Sequence, residues 1–253
     1  MSRTSILRAA AVGLALLTAG CGASVVPEVH SESDRLAVAR RMMDEKRWPS
    51  AIELLTAYQR DNAGSANVDV ATYLLGVCYL RNHDWPLAST EFERMMRDYP
   101  ESDSTPSASY RLGEALFSQA RPPDFDQEYT NKAIEQWRLY LERYPGHWLN
   151  AEAQKQLDLA RSRLALKLTE TGELYLKLKL PRPARTYFEM VERDYVDTLL
   201  LGRALLGQAM CDALLGEVQP AIARLRDIEM RFAGQEVAVR AARERVRLEH
   251  KGS

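Results

Sequence analysis

Residues 126–145 read DQEYTNKAIEQWRLYLERYP, and this stretch decides the fold. Its apolar side chains fall at Ala133, Ile134, Trp137, Leu139, Tyr140, Leu141 and Tyr144. Ala133, Trp137, Tyr140 and Tyr144 lie three or four residues apart, which places them on one stripe of a helix. Pro145 is expected to stop that helix, because proline lacks an N–H and its ring clashes one turn back. A helix with one apolar stripe is not stable alone and must dock on a neighbour.

The neighbours are found by counting. The step from Ala133 to Trp137 recurs as Ala51 to Leu55, Ala88 to Phe92, Ala184 to Phe188 and Ala221 to Leu225. Eleven residues beyond each alanine stand Asn62, Tyr99, Tyr144, Tyr195 and Phe232, followed by Ala63, Pro100, Pro145, Val196 and Ala233. Twelve residues before four of the alanines stand Ala39, Gly76, Gly172 and Ala209. In the third copy the count lands on Arg121, and Gly113 is the equivalent, eight residues earlier. Small residues at fixed places let two helices approach, and the large residue fills the gap beside them. The unit is a helix–turn–helix of about 34 residues in tandem, and it resembles the tetratricopeptide repeat. A helical bundle with accidental spacing is the competing reading.

Composition agrees with the repeat. The chain has 253 residues, 46% hydrophobic and 27% charged, enough to bury a core. With only 13 Gly and 11 Pro, it favours an all-α fold. A superhelix of about five repeats over 32–250 is expected. The formal net charge is −1, and loss of Arg3 and Arg8 with the leader makes it more negative. Nucleic-acid binding, which needs a strong positive field, is not expected.

The repeats are unevenly spaced. Successive alanines lie 37, 45, 51 and 37 residues apart. The third repeat carries extra residues in SQARPPDFDQEY (118–129), where Pro122 and Pro123 end the preceding helix. The fourth gap holds 14 further residues within WLNAEAQKQLDLARSRLALKL, which contains no Gly or Pro. These read as about four added turns, roughly 21 Å. One long helix, about 148–178, should join repeats three and four. Residues 237–250, VAVRAARERVRLEH, read as a C-terminal capping helix or, alternatively, as a partner-binding surface.

At the other end, residues 1–20 (MSRTSILRAAAVGLALLTAG) have the layout of a secretory signal, with Arg3 and Arg8 before a short apolar run. The run is too short to span a membrane. Leu17-Thr18-Ala19-Gly20-Cys21 resembles a bacterial lipobox, which implies cleavage after Gly20 and lipidation of Cys21. An ordinary signal peptide with a chance cysteine is the other reading. Gly22 resembles the outer-membrane sorting pattern, placing the protein at the periplasmic face of the outer membrane. Residues 21–31 form a short tether.

The stretch from 124 to 178, DFDQEYTNKAIEQWRLYLERYPGHWLNAEAQKQLDLARSRLALKLTETGELYLKL, resembles the middle of the BamD (ComL/YfiO-like) family of outer-membrane assembly lipoproteins. That family carries a D-Q…A…W…YP helix followed by a long one, and Glu173 and Tyr175 correspond to part of the latter. The departures are the missing Tyr-Pro in the first repeat and Val196 in place of the fourth proline. The resemblance implies a non-enzymatic component that binds the barrel protein BamA and other assembly lipoproteins. It also implies receipt of the C-termini of unfolded outer-membrane proteins. The half from about 32 to 145 would face substrate, and the half from about 146 to 250 would dock partners.

If the first helix of each pair lines the concave face, the first half presents Arg40, Tyr73, Val77, Leu80, Tyr110, Glu114 and Phe117 there. These suit an extended peptide with a large terminal side chain, although Tyr73 and Phe117 serve equally well as inter-helix core. A second functional reading is a periplasmic scaffold for envelope or division proteins, like the Tol–Pal coordinator family. That family needs a long heptad-bearing segment, for which 22–35 is too short.

No catalytic or nucleotide-binding motif is present. His30, His83, His147 and His250 stand in no ligand spacing and are expected to be solvated, so no cofactor or metal is expected. Cys78 and Cys211 each follow a small residue of the repeat by two. They occupy equivalent positions three repeats apart, too far for a disulfide, whose Cα atoms lie within about 7 Å. They read as buried thiols, with a redox pair as the alternative.

Overall fold

The computed structural model describes residues 31–251, and every regular element there is a helix. The hairpins are α1 (Glu32–Asp44) with α2 (Trp48–Asp61), α3 (Val68–Arg81) with α4 (Trp85–Asp98), and α5 (Thr105–Ser118) with α6 (Glu128–Arg143). They continue as α7 (Asn150–Lys177) with α8 (Pro181–Asp194) and α9 (Leu201–Leu214) with α10 (Val218–Arg231), and α11 (Glu236–Lys251) closes the array. The leader, Cys21 and the tether as far as residue 30 lie outside the described residues. Each helix packs on the next in sequence. In addition α3 touches α5, α7 touches α9, and α9 touches α11. First helices thus stack on one another in α3–α5 and α7–α9, the arrangement of a tetratricopeptide array.

The counted positions build the core. Ala51, Ala88, Ala133, Ala184 and Ala221 are all fully buried, as are Leu55, Phe92, Trp137, Phe188 and Leu225 beside them. A β-carbon added at Gly76 would stand 2.7 Å from the Phe92 ring, one at Gly113 2.3 Å from the Trp137 indole, and one at Gly172 2.7 Å from the Phe188 ring. The small position is thus the socket for the large one in three successive repeats. Phe188 has a second socket not anticipated from the count: a β-carbon at Gly207 on α9 would lie 2.4 Å from it. Glycines from α7 and α9 grip one ring.

The turns repeat as closely as the core. Between hairpins, the carbonyls of Asn62, Tyr99, Tyr144, Tyr195 and Phe232 each accept from the N–H three residues on. The second helix ends one residue before this position in all five repeats. It does so whether Pro100, Pro145, Ala63, Val196 or Ala233 follows. Pro145 therefore does not set the end of α6; the cap residue and its turn do. The eroded first repeat keeps the backbone turn without the aromatic.

Within hairpins, Lys46, His83, Lys179 and Gly216 all have positive φ, between 57° and 84°. Each stands five residues before its repeat alanine. The next N–H closes onto a carbonyl five residues back, as in Asp84 N–H to Tyr79 O at 2.9 Å and Glu217 N–H to Asp212 O at 2.9 Å. The third repeat replaces this turn with its inserted loop. There the Gln127 amide, buried at 6% exposure, donates to the Pro122 carbonyl at 2.9 Å and accepts from the Thr130 hydroxyl at 2.8 Å.

Helix α7 runs 28 residues, beginning two residues later than expected because Trp148 and Leu149 belong to the turn. Its first half packs with Tyr110, Trp137 and Tyr140 through Ala153, Leu157 and Ala160. Its second half packs with Phe188, Val191 and Cys211 through Ala165, Leu168 and Tyr175. At mid-helix three cations hold both flanks. Arg163 donates to the carbonyl of Arg121, and Lys167 donates to those of Pro123 at 3.0 Å and Phe125 at 2.6 Å, so the inserted loop is tied to the lengthened helix. Arg161 pairs with Asp197 at 2.5 Å and donates to the Asp194 carbonyl at 2.9 Å on the other side. Hydrogen bonding from Arg161 holds the Asp197 carboxyl below the usual carboxylate range.

Cys78 and Cys211 are free and fully buried. Burial pushes both thiols up to about 12. His83 is exposed in its left-handed turn. His147 is not simply solvated: it is half-buried, and its Nδ1 lies 2.6 Å from the Tyr140 hydroxyl. Burial lowers its pKa.

Candidate binding surfaces

The first helices of repeats one to three carry the seven residues singled out above, and most of them prove to be packing residues. Leu80 and Tyr110 are 8% and 2% exposed, so neither belongs to an open face. Tyr110 turns down onto Tyr140, with ring centroids 5.9 Å apart, because the fully buried tyrosine beneath offers it an aromatic edge. Its pKa is raised by burial and then by Glu114. Tyr73 lies 6.2 Å from Phe92, and Val77 packs in the same cluster. Phe117 meets Trp137 edge-on at 5.7 Å and carries the Arg163 guanidinium over its ring. Of the two readings of Tyr73 and Phe117, the structure shows the core role, with part of each ring still accessible. Glu114 pairs with Arg111 at 2.5 Å, and Arg40 stands exposed on α1, two repeats away. What remains accessible there is Arg40, Glu114 and parts of Tyr73, Val77 and Phe117.

A more apolar surface lies in the other half and was not anticipated residue by residue. A groove of about 480 Å³ opens between α7, α9 and α11. Met210 and Leu214 of α9, Leu176 of α7, Leu225 of α10 and Leu248 of α11 form its apolar lining. Lys177, Lys179, Glu244 and Arg247 stand at its edges. Met210 is 38% exposed and Leu214 48%. The lining of this groove is mostly apolar and partly open to solvent. Helix α9, LGRALLGQAMCDAL, has only Arg203, Gln208 and Asp212 as polar residues, and all three are engaged by neighbouring helices. Its hairpin and its neighbours cover only part of that circumference.

Asp212, on the same helix, points the other way. It is 1% exposed, accepts from Arg224 Nε at 3.1 Å and faces Arg185 at 3.3 Å. It joins α9 to the helices on both sides and is not part of the groove. Among the described residues no group of His, Cys, Asp and Glu is placed to hold a metal ion. No helix among them is long and apolar enough to cross a membrane.

Compared with known families, residues 28–226 match the family described as "YfiO: Outer membrane lipoprotein". The chain belongs to the YfiO family of outer membrane lipoproteins. Two curated relatives carry the name outer membrane protein assembly factor BamD. The Vibrio cholerae protein is 26% identical over 191 residues, covering 71% of this chain and 79% of its own length. The Caulobacter vibrioides protein is 24% identical over 173 residues, covering 66% of this chain and 57% of its own. The chain thus spans little more than half the length of the Caulobacter relative. Solved structures it resembles include the TPR2AB-domain:pHSP90 complex of yeast Sti1 (15% identity, 87% of this chain and 84% of that one, TM-score 0.44). Another is a tetratricopeptide repeat protein from Parabacteroides merdae (14% identity, 87% and 74%, TM-score 0.38). The YfiO match includes the eroded first repeat. It ends within α10, so α11 and the groove wall it supplies lie beyond it.

Proposed function

We propose that this YfiO-family chain is a lipid-anchored, non-enzymatic component of the machinery that assembles β-barrel proteins in the outer membrane. In this reading residues 1–20 are removed, Cys21 is lipidated, and the protein lies on the periplasmic face of the outer membrane. Several acyl chains on one residue hold a protein stably, since each buried CH₂ contributes about 0.8 kcal/mol. The half from 146 to 250 docks a BamA-like barrel protein and other assembly lipoproteins. The half from 32 to 145 receives the C-termini of unfolded barrel proteins through what remains open around Arg40, Tyr73, Val77, Glu114 and Phe117.

The observation that carries the reading is the apolar groove between helices α7, α9 and α11 of a YfiO-family solenoid. An uncovered apolar area on a rigid repeat array is a place for polypeptide rather than for chemistry. The test is affinity capture of the native protein from detergent-solubilised outer membranes, followed by identification of what comes with it. A barrel-assembly protein is expected among the captured chains. Capture of division or cell-wall proteins in its absence contradicts the reading.

A further inference from the structure

We infer that the groove between α7, α9 and α11 receives an acidic amphipathic helix from a partner protein. This rests on the docking role proposed above for residues 146–250 and specifies the chemistry of what docks.

The geometry favours a helix. Helix α9 touches both α7 and α11 and forms the floor, while α7 and α11 stand as walls. Packed helices lie 8–10 Å apart, so two walls flanking one floor helix are separated by roughly 16–20 Å. A helix with its side chains is about 10–12 Å across, so an incoming helix rests over α9 against the flanks of both walls rather than dropping fully between them. The floor presents Met210 and Leu214, four residues apart, as one helical ridge. An amphipathic helix carrying apolar residues at the same spacing lays its stripe against that ridge. Met210 adapts to the shape of the incoming side chains.

The charge favours acidic flanks. Of the groove-edge residues, Glu244 is already paired with Arg247 at 3.5 Å. Lys177 and Lys179 then leave a positive surplus at the end of α7. Acidic residues beside the apolar stripe complement it, and basic ones are repelled.

The probe is a synthetic 18-residue peptide with leucines at helical spacing and glutamates elsewhere. Three controls accompany it: a scrambled peptide without the stripe, a version with lysine for glutamate, and a version broken by two prolines. Binding to the full folded chain is followed by fluorescence anisotropy. The acidic helix is expected to bind at least about tenfold more tightly than each control. Met210→Glu and Leu214→Glu should abolish binding, while Lys177→Ser with Lys179→Ser weakens it and flattens its salt dependence. Thermal melts of the same variants establish that each is folded. Equal binding of the proline-broken peptide shows an extended occupant and overturns the inference. Equal binding of the lysine peptide, or retained binding by Leu214→Glu, overturns it as well. Should the variants capture the barrel-assembly protein as well as the wild type does, the docking role survives and the groove is not its seat.

Discussion

The ammonium of Lys167, midway along α7, donates to the carbonyl oxygen of Phe125 in the inserted loop at 2.6 Å. The two irregularities of the array, an extra loop and an extra length of helix, thus hold each other. The loop's carbonyls have no helical partner, and α7 satisfies them with Arg163 and Lys167. Lys167→Met keeps the side chain's bulk and removes the donor. It should cost about 1–2 kcal/mol and speed hydrogen exchange in residues 119–127 without changing it in repeats one and five. Unaltered exchange in the loop would mean that the tie is incidental.

Gly113 and Gly172 test the socket. Alanine at Gly113 places a β-carbon 2.3 Å from the Trp137 indole, which cannot move without losing its 3.2 Å hydrogen bond to the Tyr110 carbonyl. Overpacking of this kind costs about 1–3 kcal/mol, and alanine's helix preference returns at most about 1 kcal/mol of it. Gly172→Leu, against the Phe188 ring, should cost at least as much. Gly64→Ala, with nothing within 4 Å, is the control. Chemical denaturation of the four proteins gives the ordering.

The buried thiols give a pH dependence with a definite sign. Burial raises the folded-state pKa of Cys78 and of Cys211 to about 12, and Asp212 adds to the effect at Cys211. An unfolded thiol ionises near pH 8.5. The unfolded chain therefore loses these protons first, and the thiols' contribution to stability is complete below about pH 8.5 and is lost as the pH rises towards 12. Cys78→Ala with Cys211→Ala should flatten this alkaline limb of the stability curve. In the native protein neither thiol should react with a disulfide reagent at pH 8 until the chain unfolds.

Much of this was legible in the sequence because the repeat uses few residue types for hard steric reasons. An alanine, a large residue four on and a small residue at the facing position are dictated by contact, and Trp137 over Gly113 shows why the third copy is offset. The lengthened α7 was legible as a surplus without Gly or Pro. Other features left no local mark. Lys46, His83 and Lys179 adopt positive φ because the Schellman-type closure demands it, and nothing in a lysine or a histidine announces that. Leu80 and Tyr110 were placed on the open face by helical phase alone. Phase gives a direction but not which ring lies beneath, and Tyr140 lies beneath Tyr110. The groove left no local mark because the few polar residues of α9, Arg203, Gln208 and Asp212, are taken up by partners on other helices and do not point out the side left uncovered.

The most direct measurement of the central claim is the amount of folded β-barrel protein in the outer membrane when this chain is depleted, read from heat-modifiable gel mobility. The account predicts that folded barrels fall and that the wild-type chain restores them, whereas a chain carrying Met210→Glu and Leu214→Glu does not. Barrel levels that stay constant through depletion, with a defect appearing only in cell division or envelope constriction, would contradict it.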